Sequence, residues 1–263
     1  MLVKGPAKFP KGYNEIARFD DKEQNSLMDF GILSLGAGES FSEGQSLERA
    51  YLLINGKLTF SWDGNSSTVS RRNCFDDPPF VLHVPKDVNV VIDAVSDCEI
   101  AVTRTENDRN FASRLYTAEE CEDEMRGAGT MRETSTRIVR TVFDYSNAPY
   151  SNLVIGEVIG FPGRWSSYPP HYHPQPEIYF YRFLPEGGFG YAELNDDLVK
   201  TRHNSTVFIV DSETHPQVTA PGYAMWYLWV IRHIDGNPYT VPVFLPEHLW
   251  VRDPDAEIWP AEA

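Results

Sequence analysis

The sequence predicts an all-β protein made of two antiparallel β-barrels in tandem, on three observations. Short β-branched and aromatic runs alternate with Gly, Pro, Asn and Asp in both halves of the chain, the pattern of barrels and sandwiches rather than helical layers. Asn55-Gly56 and Asp63-Gly64 fall between such runs and suit the positive φ of tight hairpins. A weak internal repeat sets residues 48–56 beside 177–183, and 84–90 beside 209–215.

Taken in order, the first barrel holds strands at 49–54, 57–62, 80–84, 89–94 and 99–104. Thr117-Ala118-Glu119-Glu120 then reads as a capping-box entry to a helix with acids in its first turn, ending at Gly127-Ala128-Gly129. Its run Glu119-Glu120-Cys121-Glu122-Asp123-Glu124 lacks the Asp/Asn-Gly spacing of a calcium loop, so it reads as a solvated helix face. Strands resume at 137–143, 152–160, 177–183, 190–193, 206–210 and 225–231. The tail, broken by Pro238, Pro242, Pro246, Pro254 and Pro260, is expected to be extended and to pack over a barrel or a neighbouring subunit. The expected division is a first barrel over 1–116, a short helical linker over 117–134 and a second barrel with its tail over 135–263.

A chain of 263 residues is long enough for two cores. Its net charge of −15 repels nucleic acid and anionic membranes, which argues against both as partners. A small anionic substrate remains compatible wherever cations converge locally. Cys74, Cys98 and Cys121 form no CxxC pair and no disulfide framework. No apolar run reaches the roughly 18 residues of a membrane span, and the N-terminus lacks a signal-peptide core. These readings together predict a cytoplasmic protein.

The chemistry concentrates in the second barrel. Pro169-Pro170-His171-Tyr172-His173-Pro174-Gln175-Pro176-Glu177 places two imidazoles and a carboxylate close together, and His215 follows a strand-like run. Alternation on a strand points His171 and His173 the same way, and a proline turn brings Glu177 round to them. Neutral imidazoles with one carboxylate suit a divalent ion, zinc first, with manganese, iron or nickel as alternatives. If Glu48 is set on Glu177, the histidine positions fall on Ser42, Gly44 and Val90, so the first barrel lacks the ligands. His83, His203, His233 and His248 lack such partners and read as structural.

These residues resemble the cupins, whose pattern is Gly, His-x-His, a short spacer and Glu, then a later His. Gly163, His171, His173, Glu177 and His215 fill it, with Val210 and Ser212 standing where the family has Pro and Gly. More specifically, Trp165-Ser166-Ser167-Tyr168-Pro169-Pro170-His171, with His215-Pro216 and Ala220-Pro221-Gly222-Tyr223, is similar to the isomerases of 5-deoxy-glucuronate and 4-deoxy-5-hexosulose-uronate. The resemblance implies a bicupin, two barrels of the double-stranded β-helix or jelly-roll type. It further implies aldose–ketose isomerisation of a deoxy-hexuronate, 5-deoxy-glucuronate to 2-deoxy-5-keto-gluconate, in inositol catabolism. A cupin dioxygenase and a non-enzymatic sugar-binding or regulatory cupin are the rivals, because one scaffold hosts all three.

On that reading His171, His173, Glu177 and His215 hold the metal. Tyr179 and Tyr181 share strand parity with Glu177 and serve as acids, orient the substrate or simply pack. Glu213 is either a base or an exposed turn carboxylate. Arg164 and Arg182 are the candidates for the substrate carboxylate, although alternation sets Arg182 opposite Glu177. A small-molecule sugar acid is the expected partner, and edge strands with the proline-rich tail predict a homo-oligomer, a dimer or a hexamer.

Overall fold

Alternation along the strand Glu48–Trp62 sends Arg49, Tyr51 and Leu53 to one face and Ala50, Leu52 and Ile54 to the other, and all six are buried. The first face lines a core inside the N-terminal half with Leu33, Val84 and Ile100. The second packs against the C-terminal half, in a core that includes Phe30, Phe143, Ile178, Phe180 and Trp226. Glu177–Leu184 repeats the arrangement: Tyr179, Tyr181 and Phe183 face a third core inside the C-terminal half, while Ile178 and Phe180 face the junction. Strands buried on both faces read as nearly continuous apolar runs, as these do.

The computed structural model describes residues 1–260. In the N-terminal half the strands run Arg114–Tyr116, Val81–Val84, Glu48–Trp62, Cys98–Thr105, Asp29–Leu35 and Gly12–Ala17, with Ser40–Glu43, Val90–Ala94 and Asn65–Arg71 branching from the far end of Glu48–Trp62. In the C-terminal half a seven-stranded sheet runs Leu2–Val3, Thr206–Ile209, Glu177–Leu184, Ala224–Arg232, Leu153–Gly160, Arg137–Phe143 and Glu124–Arg126. A four-stranded sheet, Trp165–Ser166, Gln217–Thr219, Phe189–Leu194 and Asp197–Arg202, accompanies it. The pairing is antiparallel throughout, and the ladders stay open, so the architecture is one of sheets rather than closed barrels. No helix among the described residues is long and apolar enough to cross a membrane.

Several expectations are corrected. Asn55-Gly56 is no hairpin but a bend inside one strand of 15 residues, marked by a register shift between Leu53 and Asn55. Gly56 has φ +100, and a Cβ there would meet the Asp97 carbonyl oxygen at 2.4 Å, so close packing of another segment sets the bend. The tight hairpin is Asp63-Gly64, with φ of 45 and 76 and Trp62 paired to Asn65.

The helical linker is corrected as well. The Thr117/Glu120 capping box forms, yet only the single 3₁₀ turn Ala118–Glu120 follows it. The acidic run offers no apolar stripe to bury, and Glu124–Arg126 instead pairs with Arg137–Val139 and extends the sheet. The tail contains a 3₁₀ stretch, Pro246–Arg252, and a short strand, Val243–Phe244, paired with His171–Tyr172. At the other terminus Leu2–Val3 pairs with Thr206 and Val207, so the start of the chain belongs to the C-terminal sheet.

The repeat also shifts by one residue. Glu177 pairs with Ile209 and Ile231, and the residue with matching partners and facing is Arg49, which pairs with Val84 and Arg104. Glu48 points the other way, into the junction, where His83, Asn107 and Ser151 hold its carboxylate at 2.7, 2.7 and 2.5 Å. A slip of one position exchanges the two faces of a strand.

A candidate metal centre

Glu177 opens its strand between two neighbours that fix its backbone, and its side chain enters the interior of the C-terminal half. His173 follows the short strand His171–Tyr172, and His215 lies in the loop after Thr206–Ile209. Ligand atoms of His173, Glu177 and His215 all lie within 4.8 Å of one another. The Nε2 atoms of His173 and His215 stand 3.2 and 3.4 Å from Oε2 of Glu177. His171 stands beside this trio rather than within it, its ring centroid 4.8 Å from that of His215.

Backbone carbonyls orient all three imidazoles. Nδ1 of His171 contacts the Pro169 carbonyl at 3.0 Å, that of His173 the Gln175 carbonyl at 2.9 Å, and that of His215 the Glu213 carbonyl at 2.8 Å. A carbonyl only accepts, so each Nδ1 carries the proton and a neutral ring presents the Nε2 lone pair. Burial drives the His171 pKa down to about 4 and that of His215 well below its usual value, the latter helped by His171 and His173. These two rings therefore stay neutral, which is the ligand form.

The trio is 1–4% exposed, and burial pushes the Glu177 pKa up, against the pull of the His173 contact. Nε2 of His215 has no hydrogen-bond partner. Lone pairs facing a buried carboxylate repel unless something positive lies between them, and none of the ion pairs among the described residues brings a Lys or Arg to Glu177. The donor set and its orphaned nitrogen fit a divalent cation.

Around the trio lies a cavity of about 90 Å³. Tyr179 and Tyr227 stack across it at 4.6 Å, and Ser167 Oγ lies 3.1 and 3.3 Å from their hydroxyls. The tail closes one side, with Tyr239 at 4.8 Å from the His173 ring and Phe244 at 5.4 Å from that of His171. Arg126, Arg137 and Trp229 complete the lining. A larger cavity, about 620 Å³, opens at the junction among Lys86, Glu106, Asp108, Arg109, Arg232 and Asp235. Among the described residues, the only convergent group of three or more metal-ligating side chains is the trio in the smaller cavity.

The remaining expected site residues fall elsewhere. Tyr181 is fully buried and its hydroxyl donates to Gln217 at 2.5 Å, so it packs and positions. The Glu213 carboxylate accepts from the Val210 N–H at 3.2 Å, and its carbonyl orients His215. Arg164 lies over the Phe161 ring, 3.9 Å from Glu133, and does not line the cavity. Arg182 crosses the junction to Glu99 at 3.0 Å, with His203 at 3.0 Å, because alternation turns it from Glu177. Sequence reasoning missed Ser167, Tyr227, Tyr239, Arg126 and Arg137. For Tyr227, strand parity with Trp229 and Ile231 in Ala224–Arg232 was a usable signal, and for Ser167 its place in the run Trp165 to His171; for Tyr239, Arg126 and Arg137 none was.

The KduI/IolB family matches residues 1–251 of the chain. The 5-deoxy-glucuronate isomerase of Bacillus licheniformis is 27% identical over 250 residues, covering 86% of this chain and 88% of that protein. Its namesake from Geobacillus thermodenitrificans is 30% identical over 195 residues, 67% of either chain. An IolB-like protein from Salmonella typhimurium superposes with a TM-score of 0.84 at 23% identity, over 95% of this chain and 98% of that one. The oxalate decarboxylase of Bacillus subtilis shares the fold at a TM-score of 0.66 and 10% identity, over 92% of this chain and 78% of that one.

Proposed function

The chain belongs to the KduI/IolB family, and from that premise we propose that it is an intramolecular oxidoreductase, an aldose–ketose isomerase that converts 5-deoxy-glucuronate to 2-deoxy-5-keto-gluconate in inositol catabolism. The observation that supports it most is the match of most of the chain to relatives bearing that name, joined to a buried His–Glu–His trio. In this reaction the aldehyde and its neighbouring hydroxyl become a primary alcohol and a ketone. The carboxylate at the far end of the chain is unchanged.

His173, Glu177 and His215, with His171 as the fourth ligand, are proposed to hold one divalent ion, zinc first and manganese, iron or nickel next. When bound, such an ion supplies Lewis acidity toward the oxygen that gains charge as the proton leaves carbon, worth several kcal/mol, roughly. Burial, with Glu177 and Tyr227 nearby, raises the Tyr179 pKa well above its usual value, so its phenol keeps its proton. It serves as a hydrogen-bond donor to a sugar oxygen, held in place by Ser167. Tyr181 and Glu213 act through Gln217 and His215 rather than on substrate. The tail exposes Val241, Val243, Trp250 and Trp259, and this surface is proposed as the contact of a homo-oligomer.

The test pairs elemental analysis with an anaerobic assay of 5-deoxy-glucuronate followed by NMR. The expected result is about one metal per chain, a ketone signal replacing the aldehyde, and loss of turnover on chelation that a divalent ion restores. Unchanged sugar would leave a binding protein, and a requirement for O₂ would leave a dioxygenase.

A further inference from the structure

The strand Glu124–Arg126 pairs with Arg137–Phe143 so that Arg126 lies directly opposite Arg137, and both line the cavity of the His–Glu–His trio. Like charges facing each other across a ladder destabilise it. Arg126 is partly compensated, by Glu124 at 2.9 Å. Arg137 forms no ion pair among the described residues. It is partly buried, and its guanidinium donates to the Ser135 carbonyl at 2.8 Å, Ser135 Oγ at 3.1 Å and the Tyr168 carbonyl at 3.5 Å. Carbonyls orient a guanidinium without neutralising it. In a chain of net charge −15, two arginines are thus held facing each other beside the His–Glu–His trio.

We propose that Arg137, assisted by Arg126, is the seat of the substrate carboxylate. The inference rests on the isomerase reading and adds the residues that select a sugar acid over a neutral sugar. The two arginines and the His–Glu–His trio line one cavity, so the two ends of one open-chain sugar acid can reach both groups. The aldehyde end enters toward His173, Glu177 and His215, and the carboxylate, at the opposite end of the same carbon chain, stays with the arginines. Guanidinium recognises carboxylate by paired, charge-assisted N–H bonds. The apolar wall of Val139, Val158, Trp229 and Ile231 lies alongside and suits the methylene that distinguishes a deoxy-sugar acid.

The test measures equilibrium binding to the metal-loaded protein, using gluconate and its uncharged counterpart sorbitol as probes. In Arg137→Met, gluconate binding is expected to weaken about 10- to 100-fold, the range of a lost hydrogen bond to a charged group, while sorbitol binding and metal content stay the same. Arg126→Gln, at an exposed edge, is expected to weaken gluconate about 3-fold and keeps the test decisive should Arg137→Met fail to fold. Equal loss for both probes, or no loss for gluconate in either variant, overturns the seat. Wild-type protein that prefers gluconate through Arg137 yet isomerises no deoxy-uronate overturns the isomerase reading and leaves the seat standing.

Discussion

Arg49 and Glu177 occupy equivalent places in the two halves, each at the start of a central strand or one residue into it, each flanked by two strands and each turned into the interior of its own half. Arg49 brings its own cation. Its guanidinium donates to the carbonyls of Leu47, Glu43 and Pro85 at 3.2 Å each and of Val88 at 2.5 Å. Beside it the Glu43 carboxylate is met by Arg104 at 2.9 Å and by the Tyr51 hydroxyl. Glu177 faces imidazole lone pairs instead, and a nitrogen is left without a partner. The same architecture thus pairs the buried polar groups of one half with one another and leaves a nitrogen of the other without a partner. The proposed function is assigned to the half whose polar groups do not satisfy one another.

The sharpest attempt to break this contrast removes one group from each half. His215→Ala is expected to lose metal and about 10³-fold or more in turnover, since the ion supplies charge stabilisation that no other group there replaces. Arg49→Met should keep about one metal per chain while lowering stability by about 1–3 kcal/mol through its unsatisfied carbonyls. Elemental analysis and urea titration read both. A second metal per wild-type chain, or loss of metal in Arg49→Met, would dissolve the distinction.

The next effect concerns how the halves are joined. Arg71 and Glu157 meet across the junction with two contacts of 2.8 Å and no solvent exposure, and Arg140 lies 3.6 Å from the same carboxylate. Arg71→Met leaves a buried carboxylate short of its main partner, so a loss of about 3–5 kcal/mol is expected in equilibrium unfolding. If the two halves were independent, the variant would unfold in two steps with only one displaced.

The last effect, spread over a pH range rather than read at one substitution, is a pH dependence that sets the C-terminal imidazoles and the carboxylate at the junction in different windows. Burial lowers the pKa values of His171 and His233 from 6.5 to about 4. Unfolded chains bind protons on these rings below pH 6.5 and the folded protein does not, so stability of the metal-free protein falls as pH drops from 6.5 toward 4. Glu48 acts in the same direction but in a lower window: burial raises its pKa, but hydrogen bonds from His83, Ser151 and Asn152 outweigh it and hold the carboxyl below its usual 4.5. Its contribution is present above pH 4.5 and disappears only below that. Unfolding free energies flat between pH 6.5 and 4.5 would contradict the neutral state of the imidazoles.

Much of this was legible in the sequence because it is local. Period-two alternation and turn residues determine strands, and His-x-His with a following Glu and a later His names a ligand set whatever the surrounding fold does. The capping box at Thr117 was legible for the same reason, since it spans one turn. Whether a helix continues from it depends on an apolar face and on competing pairing. Here the edge of the sheet offered Glu124–Arg126 a ladder that the helix lacked.

What only the tertiary structure decided is non-local. Asn55-Gly56 reads alike in a hairpin and in a bend, and packing against Asp97 and Cys98 chose the bend. The facing of Glu48 and Arg49 depends on register, where one residue exchanges core for junction. Arg126 meets Arg137, and Tyr239 reaches His173, through pairings and a returning tail that no spacing encodes. The sequence by itself determined which residue types are suited to ligate a metal and which segments are strands, because those follow from residue type and short-range geometry. Which charges face the His–Glu–His trio, and which half keeps an unpartnered nitrogen, were settled by burial and strand pairing between residues far apart in the chain, where the cost of closing long loops is met only by the assembled core.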